Sequence, residues 1–302
     1  MKIVIILMEN FFKKNYSSPN LYAVLVTPFQ GNGELDTASL KRLIEFYIQK
    51  KVHGLAILTV LGEEAKLTPQ ERLRVAQVIF QQVKNRVPVV VGVSGKADVA
   101  AKFGRQMAAL GAKGLLVVPP SFSDTQQVKQ HYQEVGIATQ MPLVVLDYPP
   151  LTGKLSVDFI ASLAAEVEQV QAIKLEEEPT PEKIWLLRNR IGDRLAIFGA
   201  LGGLNCLPEL QAGSHGLMTG YAYPEHLLTI MDYFHKGELL AAAQEYQRCL
   251  PFLRYEYHGG LAVRKEILCN REIISTAKVR SDNMAALSIN RMDVNLLSIK
   301  SV

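Results

Sequence analysis

The segment Gly114-Leu-Leu-Val-Val118 decides the fold class of this chain. It contains only glycine, leucine and valine, so neither face of a strand built from it is suited to water. Antiparallel strands commonly expose one face, whereas the strands of parallel sheets are covered on both faces and are apolar throughout. The segment therefore predicts a buried strand of a parallel sheet.

Similar apolar runs recur along the chain, and helix-like amphipathic segments lie between them. Right-handed crossovers place such helices outside the sheet, and eight strands close into a barrel without a free edge. The predicted fold class is α/β, a (β/α)8 TIM barrel with a C-terminal helical appendage. The eight runs are residues 21–29, 54–58, 88–93, 114–120, 142–149, 170–176, 195–201 and 216–221.

The chain divides into three regions on this pattern. We expect an N-terminal arm over residues 1–20, the barrel over 21–237 and a C-terminal helical region over 238–302. Helical periodicity in the last region covers 238–257 and 260–271, with apolar positions that could contact a partner subunit. The apolar run at 3–8 is too short for a signal peptide and lacks a cleavage pattern, so we expect a short strand or an irregular arm there.

Composition excludes several classes of protein. The 302 residues are 48% hydrophobic and 21% charged, as expected for a globular protein with a large core. The net charge of +4 is too small and too scattered to predict a nucleic-acid partner. No run reaches the ~18 apolar residues of a membrane span. Three widely spaced cysteines do not predict a disulfide framework, so we expect a cytoplasmic protein.

Lys174 is the candidate for catalysis. It lies in Val170-Gln-Ala-Ile-Lys-Leu-Glu176, near the carboxyl end of the sixth strand, where TIM barrels hold their active sites. Burial favours the neutral amine of a lysine, and a neutral amine can attack a ketone to form an imine. The alternative is a lysine that extends from the strand end towards water.

The chain resembles the dihydrodipicolinate synthase and N-acetylneuraminate lyase family from about residue 21 to 271. In that family of TIM barrels, the lysine that matches Lys174 forms an imine with pyruvate or a longer 2-oxo acid. The resemblance therefore implies a lyase that needs no metal or organic cofactor. It is carried by Val26-Thr-Pro-Phe29, Leu61-Gly-Glu63, Gly114-Leu-Leu-Val-Val-Pro-Pro120, residues 142–153 ending in Thr152-Gly153, and Ala172-Ile-Lys174.

The chain also departs from that family. Members usually have Gly-Thr-Thr-Gly-Glu or Gly-Ser-Thr-Gly-Glu after the second strand, where hydroxyls and amides hold the substrate carboxylate. This chain has Thr59-Val-Leu-Gly-Glu63, so only the backbone N–H groups of Val60, Leu61 and Gly62 are left for that role. Two tyrosines of the family's synthases align with Leu146 and Phe122, and an arginine common before Thr-Gly aligns with Leu151.

Two side chains could replace the missing proton relay. Tyr148 projects from the same strand face as Leu146, one step nearer the mouth, because side chains alternate along a strand. Its ring could instead pack beneath Pro149 and Pro150. Glu176 shares the face of Lys174, although acidic residues at a helix start are also favoured by the helix dipole.

Other sequence features give weaker evidence for a functional role. Met218 aligns with an apolar position beside the family's pyruvate, but it could equally fill the core. Gly199-Ala-Leu-Gly-Gly203 lacks the lysine of a phosphate loop, so we expect a turn that shapes the substrate site. The six histidines form no HxH or HExxH pair, and we predict no metal.

The sequence favours a Schiff-base lyase or aldolase acting on pyruvate or another 2-oxo acid, with the imine on Lys174. One alternative is a true dihydrodipicolinate synthase of lysine biosynthesis. The other is a barrel that binds a carboxylate or a partner without catalysis, since fold does not determine function. Members of the resembled family are commonly dimers or tetramers, so we expect a homo-oligomer.

Overall fold

The structure is a computed structural model that describes residues 10–12, 19–120 and 124–280. Its eight strands form a closed barrel in which every strand is parallel to its neighbours in chain order. The predicted TIM barrel is therefore confirmed. The strands are β1 (Asn20–Val24), β2 (Gly54–Ile57), β3 (Val89–Ser94), β4 (Gly114–Val118), β5 (Leu143–Asp147), β6 (Val170–Leu175), β7 (Ala196–Gly199) and β8 (Gly216–Thr219).

The helices surround the barrel and continue beyond it. They are α1 (Thr37–Gln49), α2 (Pro69–Val83), α3 (Ala97–Leu110), α4 (Thr125–Thr139), α5 (Pro149–Thr152), α6 (Val157–Glu166), α7 (Thr180–Ile191), α8 (Cys206–Gln211), α9 (Pro224–His235) and α10 (Leu239–Asn270).

Polar side chains cap several helices where the sequence suggests a start. Asp36 accepts a hydrogen bond from the Ser39 N–H, and Thr68 forms a capping box with Glu71 at the start of α2. Each cap satisfies an N–H group that has no partner within the helix. The starts of these helices are thus encoded locally.

Two apolar layers hold the barrel together. Side chains on the outer face of the strands pack against the helices, and a smaller cluster fills the barrel interior. Phe12, from the N-terminal arm, is buried in that interior and meets Tyr22 and Phe198 edge-on or tilted. The arm thereby closes the amino-terminal end of the barrel, opposite the end where TIM barrels carry out their chemistry.

Helix α10 is broken and returns to the barrel. Gly260 has φ 64° and ψ −152°, so the helix changes direction between the two expected helical segments. Beyond the break, the side chains of Arg264 and Lys265 are buried against the strand ends and the loop after β2. The predicted helix after the barrel is thus present, and its second half forms part of the wall around the barrel mouth.

Among the described residues, no helix combines the length and apolar character needed to cross a bilayer. Within the same ranges, no group of three His, Cys, Asp or Glu side chains is arranged to hold a metal ion. The apolar run at 3–8 and Phe122 lie outside the described residues, as does most of segment 278–302.

Candidate active site

Lys174 lies inside the barrel. It is 5% exposed and is in register with Leu146 on β5 and Phe198 on β7, both members of the interior cluster. Ala172, two residues earlier, also belongs to that cluster, so strand alternation places Lys174 on the inner face. Its amine is therefore at the carboxyl end of the strands and shielded from bulk solvent.

Glu176 forms an ion pair with this lysine. Its Oε1 lies 2.7 Å from Lys174 Nζ, and its backbone N–H donates to the Asp147 carbonyl at the end of β5. Proton transfer needs a donor and an acceptor within hydrogen-bond distance. Glu176 can therefore take a proton from the lysine before its nitrogen attacks a ketone.

The two other buried lysines are bound differently. Lys183 Nζ donates to Asp147, Glu177 and the Leu155 carbonyl. Lys265 Nζ donates to Glu63 and to the Lys278 carbonyl. Glu176 provides the only polar contact of Lys174 among the described residues. An ammonium has three N–H donors, so Lys174 is the buried lysine that keeps most capacity for a ligand.

Tyr148 follows β5 and faces the interior cluster. Its ring packs against that cluster as a partly buried side chain. Burial raises the pKa of Tyr148, and the Glu176 charge raises it further. The phenol is therefore protonated at neutral pH, which suits it to donate a proton.

The loop after β2 forms a short 3-10 turn over Val60–Gly62. The Gly62 N–H donates to the Thr59 carbonyl at 2.9 Å, so this amide is already used within the turn. The N–H groups of Val60 and Leu61 make no hydrogen bond within the described part of the chain. Of the three amides expected to hold a carboxylate, these two are the ones left free for it.

Glu63 anchors that loop to the C-terminal helix. It adopts a left-handed conformation with φ 54°, and its carboxylate accepts from Lys265 at 2.5 Å and from the Arg280 N–H at 2.6 Å. Thr27 also donates to the Gly62 carbonyl at 2.6 Å. The turn at Leu61 is thus held on both sides, which fixes where its amides point.

Met218 is completely buried among the side chains inside the barrel, in register with Tyr22 on β1. This environment fits the core-filling reading of Met218. Gly220, two residues further along the same face, lies at the barrel mouth.

The glycine-rich segment after β7 has unusual backbone angles, with φ −140°, ψ −117° at Ala200 and φ 47° at Leu201. The glycine-rich segment is therefore a tight turn at the barrel mouth.

Sequence reasoning missed three polar groups near this mouth. Burial raises the pKa of Tyr257 on α10, and the charges of Glu178 and Glu176 add to that shift. Arg264 is buried beside Gly202, Gly220 and Leu61. The Thr59 hydroxyl is buried without a hydrogen-bond partner among the described residues.

The two missed residues of α10 could not be found by searching strand ends. They lie some eighty to ninety positions after Lys174 on α10, and Arg264 follows the break of that helix at Gly260. Thr59 lies two residues after the end of β2, so considering any hydroxyl in the loop, instead of only the family's positions, would have identified it.

Comparisons with known proteins agree with this architecture. The model of the dihydrodipicolinate synthetase family matches residues 17–264. An L-2-keto-3-deoxyarabonate dehydratase of Azospirillum brasilense is 32% identical over 270 residues, covering 86% of this chain and 87% of the relative. A 4-hydroxy-tetrahydrodipicolinate synthase of Oceanobacillus iheyensis is 24% identical, covering 85% and 88%.

A solved structure agrees as well. The crystal structure of dihydrodipicolinate synthase from Rhodopseudomonas palustris superimposes with a TM-score of 0.83 at 28% identity, covering 93% of this chain and 95% of that one. The family match covers most of the sequence, and the likeness in fold extends over nearly all of it. This chain therefore belongs to the dihydrodipicolinate synthetase family.

Proposed function

We propose that this protein is a Schiff-base lyase that breaks a carbon–oxygen bond in a 4-hydroxy-2-oxo acid. The observation that carries the proposal is the arrangement of Lys174 inside the barrel, with Glu176 2.7 Å from its nitrogen and with Tyr148 packed against the same interior cluster, where the Glu176 charge raises the pKa of its phenol. A nucleophile, a proton acceptor and a phenol are thereby assembled in one place.

The reaction follows from these groups. Glu176 takes a proton from Lys174, whose nitrogen attacks the keto carbon, and loss of water gives an imine. Glu176 returns its proton to the oxygen that is lost as water. The imine then acts as an electron sink, so Glu176 takes a proton from C3 and an enamine forms. The C4 hydroxyl departs as water when Tyr148 protonates it, Glu176 passes its proton to the Tyr148 phenolate, and hydrolysis of the imine frees the lysine. The net change is the loss of one water molecule from the substrate.

Two observations favour dehydration over synthase chemistry. The relative at 32% identity bears the name of a dehydratase for a keto-deoxy sugar acid. In addition, Leu146 is in register with Lys174, at the position where the family's synthases have a tyrosine. Without that hydroxyl and with Val60 and Leu61 in the loop, a synthase would lack its usual relay, and general acid–base help is commonly worth about 10²–10⁴-fold.

The test is borohydride trapping with pyruvate and a panel of 2-oxo acids, read by intact mass and peptide mapping. We expect the label on Lys174, none on the buried Lys183 or Lys265, and none in Lys174→Ala. Failure of every 2-oxo acid to label Lys174 would remove the proposal. If Lys174→Ala then kept its ligand binding, the barrel would be a binding protein without catalysis.

Product analysis distinguishes a dehydratase from a dihydrodipicolinate synthase. Incubation with 4-hydroxy-2-oxo acids, followed by NMR, should show loss of water. A coupled assay with pyruvate and aspartate semialdehyde should show no synthase activity. Synthase turnover in that assay would instead establish the alternative of a true dihydrodipicolinate synthase.

The proposal includes self-association of the chain. Leu239 and Leu240 at the start of α10 are 53% and 74% exposed, which supports a homo-oligomer, a dimer or a tetramer, with this region as a contact. Light scattering on the purified chain, with Leu240→Glu as the variant, tests the oligomeric state.

The three cysteines are free thiols, which supports a reducing cytoplasm as the location.

A further inference from the structure

A buried guanidinium lies at the barrel mouth and has unused hydrogen-bonding capacity. Arg264 on α10 is 4% exposed, and its Nε donates to Glu256 Oε1 at 2.5 Å. Its Nη1 is buried and has no hydrogen-bond partner among the described residues. A buried polar group without a partner costs stability, so it calls for an explanation.

The surroundings of Nη1 place it over the interior of the barrel. A Cβ atom at Gly220 would lie 3.0 Å from Nη1 and 3.4 Å from Leu61 Cδ1. Gly220 is two residues beyond the inward-facing Met218, so it lies on the inner face just past β8. The absence of a side chain at Gly220 is what leaves room for the guanidinium beside Leu61.

The same guanidinium reaches towards the catalytic groups. A Cβ atom at Gly202 would lie 3.8 Å from Arg264 Nη2 and 3.7 Å from Tyr257 Cβ. Tyr257 in turn interacts electrostatically with Glu176, the partner of Lys174. Tyr257 is therefore close to Arg264 and within the electrostatic reach of the carboxylate that pairs with Lys174.

Glu256 explains how the arginine is kept in place without a ligand. This glutamate is completely buried, and its second oxygen accepts the Ala222 N–H at 3.0 Å. The Glu256 carboxylate faces the guanidinium and holds it through Nε, which leaves Nη1 free. An arginine held in this way presents a planar donor group suited to a carboxylate.

We propose that Arg264 Nη1 donates to the C1 carboxylate of the 2-oxo acid, together with the N–H groups of Val60 and Leu61. The inference rests on the proposed function, because the keto carbon of the same acid is the one that bonds to Lys174. Val60 and Leu61 have apolar side chains where the family has hydroxyls, so they offer no side-chain hydrogen bond to a carboxylate. The guanidinium beside Leu61 supplies such a donor, together with a positive charge.

The test compares pyruvate with methyl pyruvate, which has the same ketone but no negative charge. Concentration curves for borohydride labelling are measured on the wild type, Arg264→Lys and Arg248→Gln. Arg248 is an exposed arginine of the same helix, paired with Glu245, and serves as the matched control. We expect Arg264→Lys to raise the half-saturating pyruvate concentration at least about tenfold, with methyl pyruvate changed less than about twofold.

A double variant distinguishes loss of the carboxylate contact from misfolding caused by an unpaired buried charge. Arg264→Lys retains a cation opposite Glu256, and the double variant Arg264→Gln with Glu256→Gln removes both charges together. An unchanged pyruvate curve in both variants would overturn the inference. Equal weakening of pyruvate and methyl pyruvate would also overturn it, because it would indicate damage to the site rather than loss of a carboxylate contact.

Calorimetry on Lys174→Ala distinguishes this inference from the proposed function. We expect that variant to bind pyruvate without forming an imine, and the added Arg264→Lys change to weaken the binding. If wild type is not labelled by borohydride but pyruvate binding still depends on Arg264, the function fails and the carboxylate site stands. If pyruvate does not bind to Lys174→Ala, or binds independently of Arg264, the carboxylate site fails.

Discussion

The buried pair of Lys265 and Glu63 gives a prediction about stability. Both side chains are fully buried, their charged atoms are 2.5 Å apart, and they join α10 to the loop that carries Leu61. In Lys265→Met the carboxylate of Glu63 stays buried and keeps the Arg280 N–H as a donor, but it loses the lysine charge that it faces. Removing one partner of a buried pair costs about 3–5 kcal/mol of unfolding free energy.

Part of that cost comes from the charge left behind. We therefore expect the double variant Glu63→Gln with Lys265→Met to be more stable than Lys265→Met alone, because it leaves no unpaired charge. At about 2–4 °C per kcal/mol, the single variant should melt about 6–20 °C lower than wild type. Denaturant and thermal unfolding of wild type, both single variants and the double variant complete the cycle.

An exposed pair provides the control. Lys236 and Asp232 are separated by one helical turn at the end of α9, and both side chains are more than half exposed. Surface pairs contribute little because water screens them, so Lys236→Met should melt with the wild type. The reasoning is refuted if Lys265→Met behaves like this control, or if the effects of the two changes at Glu63 and Lys265 simply add.

Three further outcomes are expected. Glu176→Gln should slow borohydride labelling of Lys174 by about 10²–10⁴-fold, because the proton acceptor is lost while the amine remains; an unchanged rate would assign the proton transfer to another group. Tyr148→Phe should retain the labelling but slow water loss from a 4-hydroxy-2-oxo acid at least about tenfold, as followed by NMR; normal turnover would exclude the phenol as proton donor. Burial raises the pKa of Glu209 to about 8, although Thr180 donates to it. The folded state thus holds a proton that the unfolded chain has lost above the ordinary pKa of glutamate. The unfolding free energy of wild type relative to Glu209→Gln should therefore fall from about pH 4.5 to about pH 8, by up to about 1.4 kcal/mol per pH unit; a difference independent of pH would contradict this.

The barrel could be predicted because its signals are local. A strand covered on both faces must be apolar throughout, and Gly114-Leu-Leu-Val-Val118 satisfies this within five residues. Helix starts at Asp36 and Thr68 depend on side chains that bond to N–H groups three residues away. Such contacts need no knowledge of distant parts of the chain.

The position of Lys174 was predictable for a similar reason. A lysine between Ile173 and Leu175 in an apolar strand must face either the barrel interior or the helices. Glu176, two residues later, lies on the same face by the same alternation. The inner-face environment of Tyr148 also follows from the strand, because Tyr148 is two residues after the inward-facing Leu146.

Only the tertiary structure decided which side chains surround the loop after β2. Arg264 meets Leu61 across about two hundred residues of chain, and Lys265 meets Glu63 across 202. The break at Gly260 and the missing side chain at Gly220 make these approaches possible, and neither has a meaning until the helix is packed on the barrel. Sequence periodicity records which face of an element is buried, whereas the partner on that face is determined by how the elements pack together.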